Sequence, residues 1–457
     1  MKWTWLAVLA GSTLLVGCSV SPYRSAEKYV EQKEYNQAIR EYLILLEPHM
    51  RDGKRFVFYD REGITGIGVV YWEMKRYETA VKILKMVVEK DPAYGKALFY
   101  LGMSYEGLGN ETEAIRAYKS YSQLSPDDLF RQVLAGRLDW MVRNKIAREI
   151  DAAMSQESQL NPATYPERSV AVLSFLSLSD NREWEPLQTG LAEMIITDLS
   201  QVEGLEVAER LKVDQLMDEL QLSASGLADE NTSLRFGKLV GVRNLVKGSY
   251  LVMGDRKMTL DAGVFQAANP AQPTSYSLDG NLARVFQMEK ELVFNIISHF
   301  GITLTPQERE KLLKIPTESM DGFMHYCRGV RALDHGDFKG ATRFFQSALM
   351  ADANFEWARN RLVMPEIWDV THSQNLFRMS NEVAQWIKVT SRGIAQVTYK
   401  PPPDMLSTYS RLQLMGRQQS VGFLPGNESR EAFDEAIMNG VQVLPELLGE
   451  PPQPPQF

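Results

Sequence analysis

Cysteine is almost absent: the 457 residues hold two, at positions 18 and 327. A disulfide framework therefore cannot shape the fold. Histidine is nearly as scarce, with five residues at 49, 299, 325, 335 and 372. None falls in a CxxC, HExxH or related spacing, so neither a metal centre nor a cofactor is expected. After Cys18 no run approaches the ~20 apolar residues that a membrane-spanning helix needs. Basic excess is lacking too. The formal net charge is −8, which suits phosphate backbones poorly, and nucleic acid is not an expected partner. There is no GxSxG and no P-loop lysine. GITGIG, residues 63–68, departs from GxGxxG and reads as the start of a helix. Nothing points to catalysis, and the expectation is that the protein is not an enzyme. Hydrophobic residues make 44% and charged residues 24%, ordinary globular material with length for roughly two to four domains.

What is present begins at the N-terminus. Lys2 is followed by the uncharged run WTWLAVLAGSTLLV, residues 3–16. A charged tip and a short apolar core read as a secretory signal. It ends Leu15-Val16-Gly17-Cys18, which resembles the lipobox of bacterial lipoproteins. The resemblance implies cleavage before Cys18, a diacylglycerol on its sulfur and an acylated amino group. Residues 1–17 would be removed, leaving a short lipidated linker over 18–24. At about 0.8 kcal/mol per buried methylene, two or three chains hold a protein on a membrane. Ser19 in place of Asp favours the outer membrane, periplasmic face. The plain alternative is an ordinary signal peptide with a chance cysteine.

A repeat follows. Residues 64–92 and 98–126 align with a constant offset of 34: Gly68 with Gly102, Tyr71 with Tyr105, Ala80 with Ala114, Pro92 with Pro126. This resembles the tetratricopeptide repeat, a helix–turn–helix unit. Gly102 and Ala114 would let the paired helices approach, and Pro126 would end the second helix. A weaker copy over 26–48 carries Ala38 and Tyr42, with about eight extra residues before the next. A fourth, over 323–353, carries Gly329, Ala341, Phe345 and Ala348. It stands alone and must lean on something else, because such units need neighbours to bury a core. The resemblance implies a repeat region over 25–154, a further pair over 319–362, and a surface that binds a periplasmic or outer-membrane protein.

Between them the pattern changes. Residues 155–168 are polar, with two prolines, and read as a linker. VAVLSF, TGLAEMIITDLSQVEGLEVAERLKVDQLMDE and GVRNLVKGSYL then lie in a β-α-β-α-α-β-β-β-α order over 169–302. These phrases resemble the periplasmic domain shared by the CsgG family and TolB-like proteins. The fold expected is multidomain: all-α helical hairpins plus an α/β domain with a mixed sheet. The resemblance also implies possible self-association and a role in assembly or transport of an envelope or extracellular component. The alternative is a CsgG-like secretion channel, which needs membrane hairpins. The connections expected between the last three strands, Gly254-Asp255 and 268–272, are too short to supply them, and so is the apolar stretch 56–59. Asp180 to Glu183 follows the first strand, where α/β folds often bind ligands, but reads better as a solvated loop. Cys327 reads as a packing residue and His299 as a helix-end residue. Residues 363–457 form a partly helical tail with helices expected over 375–395 and 429–448 and a Pro-rich end.

Overall fold

The computed structural model describes residues 23–397, apart from 47–48, 52–53, 57–59, 223–226, 228 and 255. Residues 1–22, with Cys18 and its lipobox, and residues 398–457, with the expected helix at 429–448, lie outside the described residues. The described residues divide into two compact units at the Asn110/Glu111 step. That step falls inside the second 34-residue repeat and not at the linker expected over 155–168.

The first unit holds α1 (Arg24–Glu31), α2 (Tyr35–Leu46), α3 (Arg61–Glu73), α4 (Tyr77–Lys90) and α5 (Gly95–Gly107). The surplus between the first two repeats is a small antiparallel hairpin, β1 (His49–Arg51) and β2 (Lys54–Phe56). Asp60 caps α3, accepting from the amides of Glu62 and Gly63 at 2.9 and 3.2 Å. Gly68 sets the α3–α4 approach: a Cβ there would sit 2.7 Å from Leu84 Cδ2.

The second unit begins with α6 (Glu111–Lys119) and the long α7 (Leu129–Ser155). Next come β3 (Ser169–Val172), β4 (Leu176–Ser177), α8 (Leu187–Leu199), β5 (Glu206–Val207), α9 (Arg210–Glu219) and α10 (Glu230–Val240). Gly241 ends α10 in the left-handed region at φ +92°, as a glycine C-cap does. Three strands follow, β6 (Asn244–Val252), β7 (Lys257–Gln266) and β8 (Asn269–Asn281), then α11 (Val285–His299). The chain goes on through α12 (Pro306–Leu312), α13 (Met320–Asp334), α14 (Phe338–Ala351), α15 (Glu356–Arg361), α16 (Pro365–Thr371) and α17 (Leu376–Val397).

The sheet is mixed, in the order β5-β3-β6-β7-β8, with β4 beside β6. β3 runs parallel to β5 and β6, and β4 parallel to β6, while β6, β7 and β8 are antiparallel. Alternation puts Ala171, Leu173, Leu245 and Phe265 on one face, against Ile146 and Ile150 of α7, Val213 and Leu216 of α9, and Phe236 and Leu239 of α10. The other face carries Val170, Val172 and Val246 and receives α8 and α11. So the last turns of α7 belong to the core of the sheet. The helix that the repeat pattern placed upstream of a linker is a layer of the α/β domain, which is why α6 and α7 group with it.

Candidate functional site

The carboxyl ends of parallel strands are where α/β sheets usually bind ligands. Here that place is filled by a buried ionic cluster. Arg210 opens α9 just beyond β5. Its guanidinium reaches Glu193 Oε2 of α8 at 2.7 Å, pairs with Asp214 one turn on, and forks onto both oxygens of Asp334, at the end of α13, at 2.8 and 2.9 Å. Arg361 of α15 pairs with the other oxygen of Glu193. Ser174, just past β3, donates to Asp214 at 3.4 Å. Burial would raise the Glu193 carboxyl, but Arg361 and Arg210 overcome it and hold the group at about 2. Burial, partly opposed by Arg210 and aided by Asp334, pushes Asp214 up. Two guanidiniums and three carboxylates thus fasten α13 and α15 to α8 and α9. Beside them Gly190 lets α13 lie directly on α8, where a Cβ would collide with Cys327 Sγ and come within 3.2 Å of Phe323. Phe323 in turn meets Phe286 of α11 edge-on at 5.1 Å. This answers what the lone helical pair leans on.

A second set of contacts runs along α7. Arg131 donates to the carbonyls of Tyr121 and Ser122 at 3.2 and 3.3 Å, and to that of Leu124. Arg137 donates to Thr371 O and Ser373 O, at the end of α16, at 2.9 and 2.6 Å, and its guanidinium lies 3.8 Å over Trp140. Arg143 donates to Leu333 O, in the last turn of α13, at 3.0 Å. Each cation meets carbonyls where a helix or turn ends, at the negative end of the backbone dipoles.

The turns inside the helical pairs share one geometry. Lys33, Lys75, Gly109 and Gly336 all adopt positive φ, from 59° to 74°. In each case the next amide reaches back five residues: Glu34 to Tyr29, Arg76 to Tyr71, Asn110 to Tyr105, Asp337 to Ala332, at 2.8–2.9 Å. This is the six-to-one bond of a Schellman cap. The pair α13–α14 therefore turns as the N-terminal pairs do. Residues 65–94 and 96–128 each match the tetratricopeptide repeat. Residues 151–263 match the family described as curli production assembly/transport component CsgG.

The chain joins tetratricopeptide repeats to a CsgG domain.

The CsgG match opens within α7 and closes within β7, so β8 completes the sheet beyond it and α11 covers one face. The C-terminal part of a TPR repeat-containing protein from Cytophaga hutchinsonii is similar at 14% identity, over 75% of this chain and 100% of that one, with a TM-score of 0.22. Yeast Tom70 is similar at 13% identity, over 81% of this chain and 68% of its own, also at 0.22. No curated protein sequence matches.

The structure places the repeat residues as follows. Tyr71 and Ala80 are buried, and Gly102 is buried within α5. Ala114 is fully buried on α6, while Tyr105 is half-buried. Pro92 is exposed just past the end of α4. Pro126 does not end its helix: α6 stops at Lys119 and a 3-10 turn covers Ser120–Gln123, its carbonyls held by Arg131. In the C-terminal pair a Cβ on Gly329 would lie 2.6 Å from Phe345, and Ala341 and Ala348 are fully buried. Asp180 to Glu183 form an exposed loop between β4 and α8. Burial pushes the Cys327 thiol far up, which makes it a packing group. Sequence reasoning missed the Arg210 cluster and the α7 arginines; the local signals were the i, i+4 spacings of Arg210 with Asp214 and of Asp139 with Arg143.

Proposed function

We propose that this protein is a lipoprotein of the outer membrane, held on the periplasmic face through Cys18, where it scaffolds the assembly or transport of an envelope or extracellular component. The tetratricopeptide surface binds the protein partner, and the CsgG domain self-associates or docks in the machinery. The carrying observation is the union of these two domain types in one chain. Confinement to one membrane surface would raise the effective concentration of the partners. The reading is of binding and not of catalysis. It is supported by the strand ends of the CsgG domain, where the charged side chains are engaged in holding helices together. A scaffold is also favoured over a channel: β6 ends at Val252 and β7 begins at Lys257, and β7 passes into β8 through Ala267-Ala268. Both turns are far short of the two strands of about 9–11 residues each that a membrane hairpin requires. Among the described residues no helix is long and apolar enough to cross a membrane.

The test uses cells making the full chain and its Cys18→Ala variant. Wild type should take up labelled lipid, fractionate with the outer membrane and bring down a protein partner. Cys18→Ala should take none and appear in the periplasmic extract. Identical fractionation of the two without labelling would overturn the anchor, and ion conductance by detergent-extracted oligomers would overturn the scaffold.

A further inference from the structure

Helices α8 and α11 meet at a second buried group of charges, five residues along α8 from Glu193. Lys290 and Glu289 of α11 and Asp198 of α8 are each 5% exposed or less. Lys290 Nζ pairs with Asp198 Oδ2 and stands 3.3 Å from Glu289 Oε2. Neither oxygen of Glu289 makes a well-formed hydrogen bond, and the residue is 0% exposed. Of the other elements on α11, α12 sets the Arg309 guanidinium 4.7 Å over Phe294, more than a turn along from Glu289, and the cation that acts on the Glu289 carboxyl is Lys290. β7 turns Met258, Leu260, Ala262 and Val264 inward, and α13 supplies Phe323. β8 supplies Tyr276, whose hydroxyl donates to Asn295 O at 3.2 Å. Two carboxyls therefore face one ammonium in a space almost closed to water. A bare second carboxylate there would be a buried, unpaired charge, which proteins avoid by keeping the proton.

We propose that the CsgG domain holds a proton-binding site here: Glu289 stays protonated at neutral pH between α8 and α11, and release of that proton loosens α11 from α8. Burial, then the charge of Asp198, pushes the Glu289 carboxyl from its ordinary 4.5 up to about 8, with Lys290 opposing. When α11 detaches, Glu289 meets water and returns to 4.5. The docked state thus binds more protons than the open one between these values. Docking is strongest at the acid end of the window, weakens tenfold per pH unit as pH rises, and levels off above about 8. A cell envelope compartment that follows external pH would read this out as looser or tighter packing of one helix.

The experiment is hydrogen exchange on the full chain from about pH 5 to about pH 9, corrected for intrinsic rates, comparing peptides from α8 and α11 with those from α10. Protection of α8 and α11 should fall by close to tenfold per pH unit up to about pH 8, while α10 stays flat. Glu289→Gln, which keeps the shape and removes the titration, should abolish the slope. If that variant fails to fold, Asp198→Asn serves, because it removes the like charge and leaves Lys290 to pair with Glu289. Infrared difference spectra between neutral and alkaline pH should show the carbonyl band of a protonated carboxylic acid in wild type only. An unchanged slope in a folded variant, or no such band in wild type, would overturn the proposal.

Discussion

Replacing Gly190 by alanine sets two effects of known size against each other. In an isolated helix the change stabilises by about 1 kcal/mol, because alanine loses less backbone entropy. In this helix it adds a methyl where α13 lies on α8. The new Cβ would stand closer to Cys327 Sγ than the 3.0 Å that real Cβ atoms keep, and 3.2 Å from the Phe323 ring. Neither neighbour can yield easily. Cys327 and Phe323 are fully buried, and α13 is pinned at its far end by the Arg210–Asp334 fork. Overpacking costs about 1–3 kcal/mol, and a contact this short between rigid neighbours belongs to the upper part of that range, about 2–3 kcal/mol. Packing should win, leaving a net loss of about 1–2 kcal/mol, or roughly 5- to 30-fold in the equilibrium for opening α13 away from α8. A chain carrying Cys18→Ala has Cys327 as its only thiol. Its rate of labelling by a thiol reagent then reports the opening directly. The rate should rise roughly 5- to 30-fold in Gly190→Ala. Adding Cys327→Ala should recover stability, because the new methyl fills the space the sulfur left, so the two changes are not additive. A labelling rate that stays put, or a rise in stability of about 1 kcal/mol, would mean that helix propensity alone decides and that the close approach of α8 and α13 is wrong.

Two further outcomes follow from the same geometry. Arg210→Met should destabilise the second unit by about 3 kcal/mol, because the buried Glu193 keeps only Arg361 and the half-buried Asp214 and Asp334 lose their guanidinium; urea unfolding should show it, and adding Asp334→Asn should restore part. Lys75→Gly should stabilise the first unit by up to about 1 kcal/mol, since a non-glycine residue at positive φ is strained; a lowered thermal midpoint would contradict the shared turn geometry.

The repeats were legible because their signal is periodic: an offset of 34 residues survives substitution at any one position. β3, β6 and β7 were legible as apolar runs with clean turns. β8 was read four residues too short at its start because Pro270 and Pro273 speak against a strand. The structure places β8 at the edge of the sheet, where a missing N–H costs little. β4, two residues long, has no pattern to read. The Arg210 cluster was invisible for another reason. Glu193, Arg210, Asp334 and Arg361 span 168 positions, and each sits on a helix where a charge reads as solvated. Only folding shows that α13 covers them. Cys327 and Gly190 were likewise silent apart, since their meaning lies in their contact.

The reach of α7 into the sheet bears on how such a chain is inherited. A fragment cut at the polar stretch 155–168 would leave Ala171, Leu173, Leu245 and Phe265 without Ile146 and Ile150 above them. Recombination at that point would deliver a domain with an open side. The unit that can be moved intact is therefore longer than the matched stretch, because the sheet needs the last turns of α7 as its roof.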